Sequence, residues 1–430
     1  MDSELADLLH SEHERQGQSL HMLAPAMLTT EWLRQLMGTA ASNLDGEGYV
    51  SLPDLPAARA AVLDGRYPDS RSQKFNPCGR YMEYAEARAQ HQVADSFGGP
   101  DRTKEIYVNL HPVSGTAANL AALMGVAQPG DVVVALEPKS GGHISHGAEF
   151  HLTGRQYQFT HMSLGPGDNE FPVKRLGAVL EEQKPKAMLL GASSYPWSMP
   201  WSEIAKIKAQ TSPETIFIAD IAHFAGLVLT RHYANPVGVA DIVTGVGYKS
   251  MGGPKSGFIL TTRADMHTAV SRALFPGLQG APRMADILAM GVAAALATQP
   301  KFRQGMSEAL AVRAGIQENL AQRGVSPAFG GSDTHMLMLH AGRSADDISA
   351  RLEDIGVIQN ANMLPGDASG TRPSGIRLGT IGLVQQGLVR DDADDVAEIL
   401  AGVIKGRLEP EKARIRVGEL LQRGRRRLHD

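Results

Sequence analysis

One cysteine, Cys78, stands in 430 residues, which excludes an intramolecular disulfide framework and fits a reducing cytoplasm. Long apolar runs are missing too. A membrane-spanning helix needs roughly 20 apolar residues, whereas the stretch Met290–Ala297 is short and rich in Gly and Ala. Neither sign of charge prevails: 42 Lys plus Arg face 46 Asp plus Glu, a net −4, so no overall field draws the chain to nucleic acid or membrane. The basic tail Arg423-Gly-Arg425-Arg426-Arg427 is a local exception. An RNA contact is one reading of it, and a solvated helix end is the blander one. The opening Met-Asp-Ser-Glu-Leu-Ala-Asp lacks the basic-then-apolar order of a secretory signal. Internal repeats and low-complexity linkers are absent as well. The expectation is a cytoplasmic protein with no nucleic-acid or membrane partner, long enough for more than one domain.

What is present is a regular alternation. Leu5, Leu8 and Leu9, then Trp32, Leu33, Leu36 and Met37, fall at helical spacing, and residues 1–45 are expected to form a helical arm that cannot bury its apolar stripe alone. From Val108 to about Thr262, helical patterns alternate with short apolar runs at Val132–Leu136, Ala187–Gly191, Thr215–Ala219, Ile242–Thr244 and Gly257–Thr261. That pattern predicts an α/β fold with a mainly parallel central sheet covered on both faces. A helix-forming stretch, Met284–Leu310, leads to a smaller α+β C-terminal domain with apolar runs at His335–His340 and Ser374–Leu378. The expected division is an arm (1–45), a large domain (46–283) and a linking helix with a small domain (284–430).

Two fragments carry the chemistry. Ile-Ala-Asp220-Ile-Ala-His223-Phe-Ala-Gly places a carboxylate at the end of one buried strand. Thr-Gly-Val-Gly-Tyr248-Lys249-Ser250-Met-Gly-Gly-Pro-Lys255 places a lysine after another. Open α/β sheets bind ligands beyond the carboxyl ends of their strands. Pyridoxal 5'-phosphate (PLP) uses such a pair: a lysine for the Schiff base and an aspartate that keeps the ring nitrogen protonated. Ser114-Gly115-Thr116 stand before a helical stretch, where free N–H groups and the positive dipole end suit a phosphate; an ordinary serine N-cap would look the same. His143 and His146 admit a weak metal reading, with no Cys or acidic ligand at a telling spacing, and no metal is expected.

With Glu47-Gly-Tyr-Val-Ser51, His111-Pro-Val-Ser114-Gly115-Thr116-Ala-Ala-Asn, Gly141-Gly142-His143-Ile-Ser-His-Gly, Gly191-Ala-Ser193-Ser-Tyr195-Pro, Phe275-Pro-Gly-Leu-Gln-Gly280-Ala-Pro and Ser374-Gly-Ile-Arg377-Leu-Gly-Thr, these fragments resemble, in order, the serine hydroxymethyltransferase family of fold-type-I PLP enzymes. The resemblance spans about Asp45 to Val403. It implies that Lys249 is the Schiff-base lysine and later a proton carrier, that Asp220 partners the pyridinium, and that His143 stacks on the ring. It implies that Ser193 reaches the phenolic oxygen and His223 either that oxygen or the substrate carboxylate, that Ser114, Gly115 and Thr116 take the phosphate, and that Tyr248 borders the cofactor. Arg377, whose guanidinium fork suits a carboxylate bidentately, and Ser51 would hold the substrate carboxylate. Tyr67 and Gly280 would reach the phosphate of a neighbouring subunit's cofactor, so the expected assembly is a homodimer or dimer of dimers with shared sites.

The chain departs from the family on the co-substrate side. The proton-handling glutamate of the family falls on Asp69, its tyrosine pair on Asn76 and Pro77, and the histidine before the lysine on Tyr248. Near Arg377, Pro365-Gly366-Asp367 lacks an asparagine often found near folate. Retained Cα–Cβ chemistry on a β-hydroxy-α-amino acid is expected, with an altered one-carbon carrier or acceptor. The favoured expectation is a folate-independent aldolase or transaldolase that uses an aldehyde acceptor. The alternatives are a tetrahydrofolate-dependent serine or α-methylserine hydroxymethyltransferase and another fold-type-I reaction such as transamination or decarboxylation. A non-catalytic PLP-binding protein fits poorly while Lys249, Asp220 and Arg377 all persist.

Overall fold

A computed structural model describes residues 3–429 apart from 53, 68–72, 77, 100–104, 166, 343 and 369. Its centre is a seven-stranded sheet: β1 (Tyr107–Asn109), β2 (Val132–Leu136), β3 (Gln158–Met162), β4 (Ala187–Gly191), β5 (Ile216–Asp220), β6 (Ile242–Val246) and β7 (Gly257–Thr261), in the order β1-β7-β6-β5-β4-β2-β3. The five strands from β6 to β3 pair in parallel, and β7 alone runs against its neighbours β6 and β1. Strands β4, β6 and β7 are buried at every position. Alternate residues explain why their sequences are apolar throughout: Val133, Leu189, Ile218, Ile242 and Ile259 enter one core, while Val134, Leu190, Phe217, Val243 and Leu260 enter the other. A sheet covered on both faces needs both sets.

The N-terminal arm is less uniformly helical than its spacing predicts. Helix α1 (Ser3–Gly17) exposes Leu5, Leu8 and Leu9 at 56–64%. The chain then runs extended, and Leu20–His21 pairs in parallel with Val357–Ile358. Helix α2 (Arg80–Gly98) and helix α3 (Gly115–Val126) follow. The stretch expected as one helix from Met284 is two, α4 (Met284–Ala297) and α5 (Pro300–Gln322). Pro300 lacks the N–H that an unbroken helix would need there, and it opens the second helix instead.

The C-terminal part holds an antiparallel sheet of β8 (Met336–His340), β9 (Asn360–Asn362) and β10 (Gly375–Gly379), with β10 central. Helices α6 (Ala393–Ile404) and α7 (Pro410–His429) share its core, and Leu20 and Met22 of the arm join the same cluster. The basic tail lies on α7, where Arg423 pairs with Asp392 and Asp395, and Arg427 with Asp392. These guanidinium groups are held by carboxylates at the start of α6, in line with the structural reading of that charge run. Among the described residues no helix is long and apolar enough to cross a membrane.

Candidate active site

The carboxyl ends of β4 and β5 are level, since Gly191 pairs with Asp220, and β6 runs two residues past Thr244, the partner of Asp220. Ligand-bearing side chains therefore leave the sheet at one rim. Ser114, Gly115, Thr116, His143, Ser193, Asp220, His223, Tyr248 and Lys249 line a single cavity there, together with Asn119, Ala192, Ala222 and Val246. Of the residues expected at the site, these nine are brought together. Arg377 reaches the rim from the other sheet, where its Nη1 donates to the Ser193 carbonyl (2.7 Å) and to Ser193 Oγ (3.2 Å). Ser51 and Gly280 are exposed, Tyr67 is 44% exposed, and none of the three lines this cavity. Asp69 lies outside the described residues.

Asp220 is held by three hydrogen bonds. Its Oδ2 accepts from Asn119 Nδ2 (2.8 Å) and His146 Nε2 (3.1 Å), and its Oδ1 accepts from the Ala222 N–H (2.8 Å). Burial opposes its ionisation, but the bonds from His146 and Asn119 prevail and hold the carboxyl well below the usual range. Asn119 also donates to Ser145 Oγ (3.0 Å) and accepts from Thr244 Oγ1 (2.6 Å). Ser145 in turn binds His143 Nδ1 through its hydroxyl (2.8 Å) and its N–H (3.2 Å). Two donors on Nδ1 make it the acceptor and leave the proton of neutral His143 on Nε2. Burial, and then the nearby His146, pull the imidazole down to about 3, so His143 is uncharged at neutral pH.

Lys249 is 7% exposed. Burial lowers its ammonium to about 8; Asp220 opposes that shift and Arg377 adds to it. Its backbone is fixed by a close approach: a Cβ at Gly226 would stand 1.9 Å from the Ser250 carbonyl oxygen, so only glycine lets α-helical residues 225–229 pack there. His223 is buried, with Nε2 at 3.4 Å from Ser193 Oγ and Nδ1 without a partner among the described residues. Burial holds it neutral, reinforced by the positive charges of Lys249 and Arg377. Ser114 caps α3 by accepting from the Ala117 N–H (3.1 Å). At Gly115 a Cβ would meet Val246 Cγ1 at 2.7 Å, so the bare backbone closes one end of the cavity.

Arg377 is nearly buried, and burial lowers it to about 10, which leaves it cationic. Its Nε donates to Asn360 Oδ1 (3.1 Å) on the adjacent strand. With Nε and Nη1 held, the orientation of the guanidinium plane is set. Asn119, Ser145 and Asn360 were not anticipated as site residues, and His146 entered only through the weak metal reading. Asn119 stands one helical turn after Gly115, a spacing that could have placed it over the same rim.

A protein-family profile described as serine hydroxymethyltransferase matches residues 57–400. The chain belongs to the serine hydroxymethyltransferase family. It is 31% identical to the serine hydroxymethyltransferase of Desulforapulum autotrophicum, over 98% of this chain and 95% of that protein. The proteins of the same name from Halobacterium salinarum (30%, 94% of this chain, 92% of that one) and Coprothermobacter proteolyticus (29%, 98% and 96%) are similarly close. The fold is thus the fold-type-I PLP fold, and the protein is a PLP-dependent transferase of this family. The cavity suits that cofactor: it offers a buried amine, an ionised carboxylate, an unpartnered imidazole nitrogen at His223 and a helix N-terminus closed by glycine.

Proposed function

We propose that this protein breaks and forms the Cα–Cβ bond of a β-hydroxy-α-amino acid, moving the hydroxymethyl group of serine to leave glycine. The observation that carries this reading is one cavity holding Lys249, Asp220 and neutral His143, with the clamped Arg377 bonded to Ser193 at its rim. Bound PLP supplies the electron sink for the pair left on the α-carbon. The residues present divide the remaining tasks. Lys249 would hold the cofactor through its amine and, once free, could carry a proton. Asp220 stays ionised to hold the ring-nitrogen proton, and Ser114, Gly115 and Thr116 take the phosphate. Ser193 and His223 meet the phenolic oxygen, while His143 and Tyr248 border the ring. Arg377 would hold the substrate carboxylate, with Ser51, which does not line the cavity within this chain, as a second contact.

The relatives' shared name favours tetrahydrofolate as the one-carbon carrier, the alternative in the sequence reading rather than its first choice. The replacements at Asp69, Asn76 and Pro77 are what keep folate-independent transfer to an aldehyde as a second reading. We also propose a dimer with shared sites: Tyr67 and Gly280 lie outside their own cavity, and α1 presents three exposed leucines. The single Cys78 fits a reducing, cytoplasmic setting. The test is a substrate panel in which L-serine and L-threonine are offered with and without tetrahydrofolate, and with a set of aldehydes, while glycine, acetaldehyde and new amino acids are followed. Serine turnover that requires folate supports the first reading. Brisk turnover without it, dependent on an added aldehyde, replaces the first reading with the second.

A further inference from the structure

Outside the cavity, three ionisable side chains are sealed together. Glu86 on α2 places Oε2 at 2.7 Å from Lys74 Nζ and Oε1 at 2.7 Å from His111 Nε2, and all three side chains are 0–1% exposed. Burial disfavours the Glu86 carboxylate, yet His111 and Lys74 outweigh that and hold it ionised, so His111 Nε2 is the donor. Lys74 also donates to the carbonyls of Gly46 (2.7 Å) and Gly48 (3.3 Å). Gly48–Tyr49 pairs with Gln73–Lys74, and Asn76 N–H bonds the Glu47 carbonyl (3.2 Å). One end of this network therefore fixes the junction between the segment that leads to Ser51 and residues 73–76.

The other end fixes the phosphate side. The His111 ring stacks on Tyr49 at 4.8 Å. Gln279, the neighbour of Gly280, donates to the His111 carbonyl (2.7 Å) and accepts from the Val113 N–H (3.3 Å). Three residues after His111 comes Ser114. Buried ion pairs seldom add stability over apolar groups of equal volume, and their best-attested use is to set register.

We propose that Lys74, Glu86 and His111 are positioning residues that link phosphate binding at Ser114–Thr116 to the seating of the paired segments Gly48–Tyr49 and Gln73–Lys74. The link rests on the reading above that Ser114–Thr116 take the PLP phosphate. The test compares PLP with pyridoxal, which lacks the phosphate, by visible-absorbance titration of apo-protein. In Lys74→Met and Glu86→Gln, PLP affinity should fall about tenfold, within the roughly 5- to 150-fold span of linked sites, while pyridoxal affinity shifts less than about twofold. The double variant Lys74→Met/Glu86→Leu leaves neither of these charges orphaned and decides the matter if a single variant does not fold. It should fold as the wild type does and still lose its preference for PLP over pyridoxal. Equal weakening of both ligands, or a double variant with the wild-type preference, overturns the link. Wild-type protein that takes up neither ligand would instead sink the functional reading, and the link with it.

Discussion

Asn119→Ala is the most telling single substitution, because Asn119 touches no reacting atom yet holds two residues that should. It makes one hydrogen bond to the Asp220 carboxylate and two to the hydroxyls of Ser145 and Thr244, all buried. A bond to a charged group contributes about 1.5–3 kcal/mol and a neutral one about 0.5–1.5. The three together give about 2.5–6 kcal/mol, and we expect a loss of about 4 in the apo-protein. All three tryptophans (Trp32, Trp197 and Trp201) pack in or against the core around the sheet, so urea unfolding followed by their fluorescence reads this part of the molecule. The charge-linked share has a defined pH signature. Asp220 is depressed in the folded state, so its stabilisation is present above the ordinary carboxylate value of about 3.9 and is lost as pH falls below it. The gap between wild type and variant should accordingly narrow in acid. Asn119→Asp should be worse at neutral pH, since it sets a second carboxylate beside Asp220. A loss under about 1 kcal/mol, or a gap that stays constant from neutrality down to strong acid, would refute the role assigned to Asn119.

Three further outcomes follow from the same geometry. Lys249, lowered to about 8, should capture PLP at a rate that rises with pH around a midpoint near 8 in stopped-flow absorbance; a midpoint near the ordinary lysine value of about 10.4 would show that the amine is not buried as described. The linked stability change has the opposite sense to a paired lysine: the unfolded chain holds the proton more tightly, so the apo-protein should gain stability as pH climbs from 8 towards that ordinary value. Gly226→Ala forces a methyl against the Ser250 carbonyl and should cost about 1–3 kcal/mol by overpacking, with reduced PLP uptake, whereas undisturbed uptake would contradict the close approach. Asn360→Ala frees the Nε edge of Arg377 and should raise the KM for L-serine about tenfold, matching a charge-assisted bond of about 1.5 kcal/mol, with the PLP titration unchanged; an unaltered KM would mean that Arg377 needs no such clamp.

The local code carried much of this. Strands buried on both faces read as continuous apolar runs because both alternating sets of side chains enter a core, and Asp220 and Lys249 follow directly from where two such runs end. Short-range geometry likewise places Ser114 at a helix N-terminus. The arm and the linking helix were legible only in part, for opposite reasons. Leu20–His21 becomes a strand through pairing with residues more than three hundred positions away, a partner no local pattern reveals. The break before Pro300, by contrast, was written in the chain.

The sequence by itself determined the family, the strand-end aspartate and lysine, and most of the segments that meet at the cavity. Tertiary structure alone decided how those groups are wired. Asn119 reaches Asp220 across 101 residues, Ser145 makes Nδ1 of His143 the acceptor, and Asn360 on the neighbouring strand and Ser193 just past the end of β4 clamp Arg377. These bonds depend on strand register and on side chains meeting within about 3 Å, which spacing along a chain does not encode. Lys249 was visible from its neighbours in sequence; the lowering of its ammonium to about 8 comes from the burial that only the assembled fold provides.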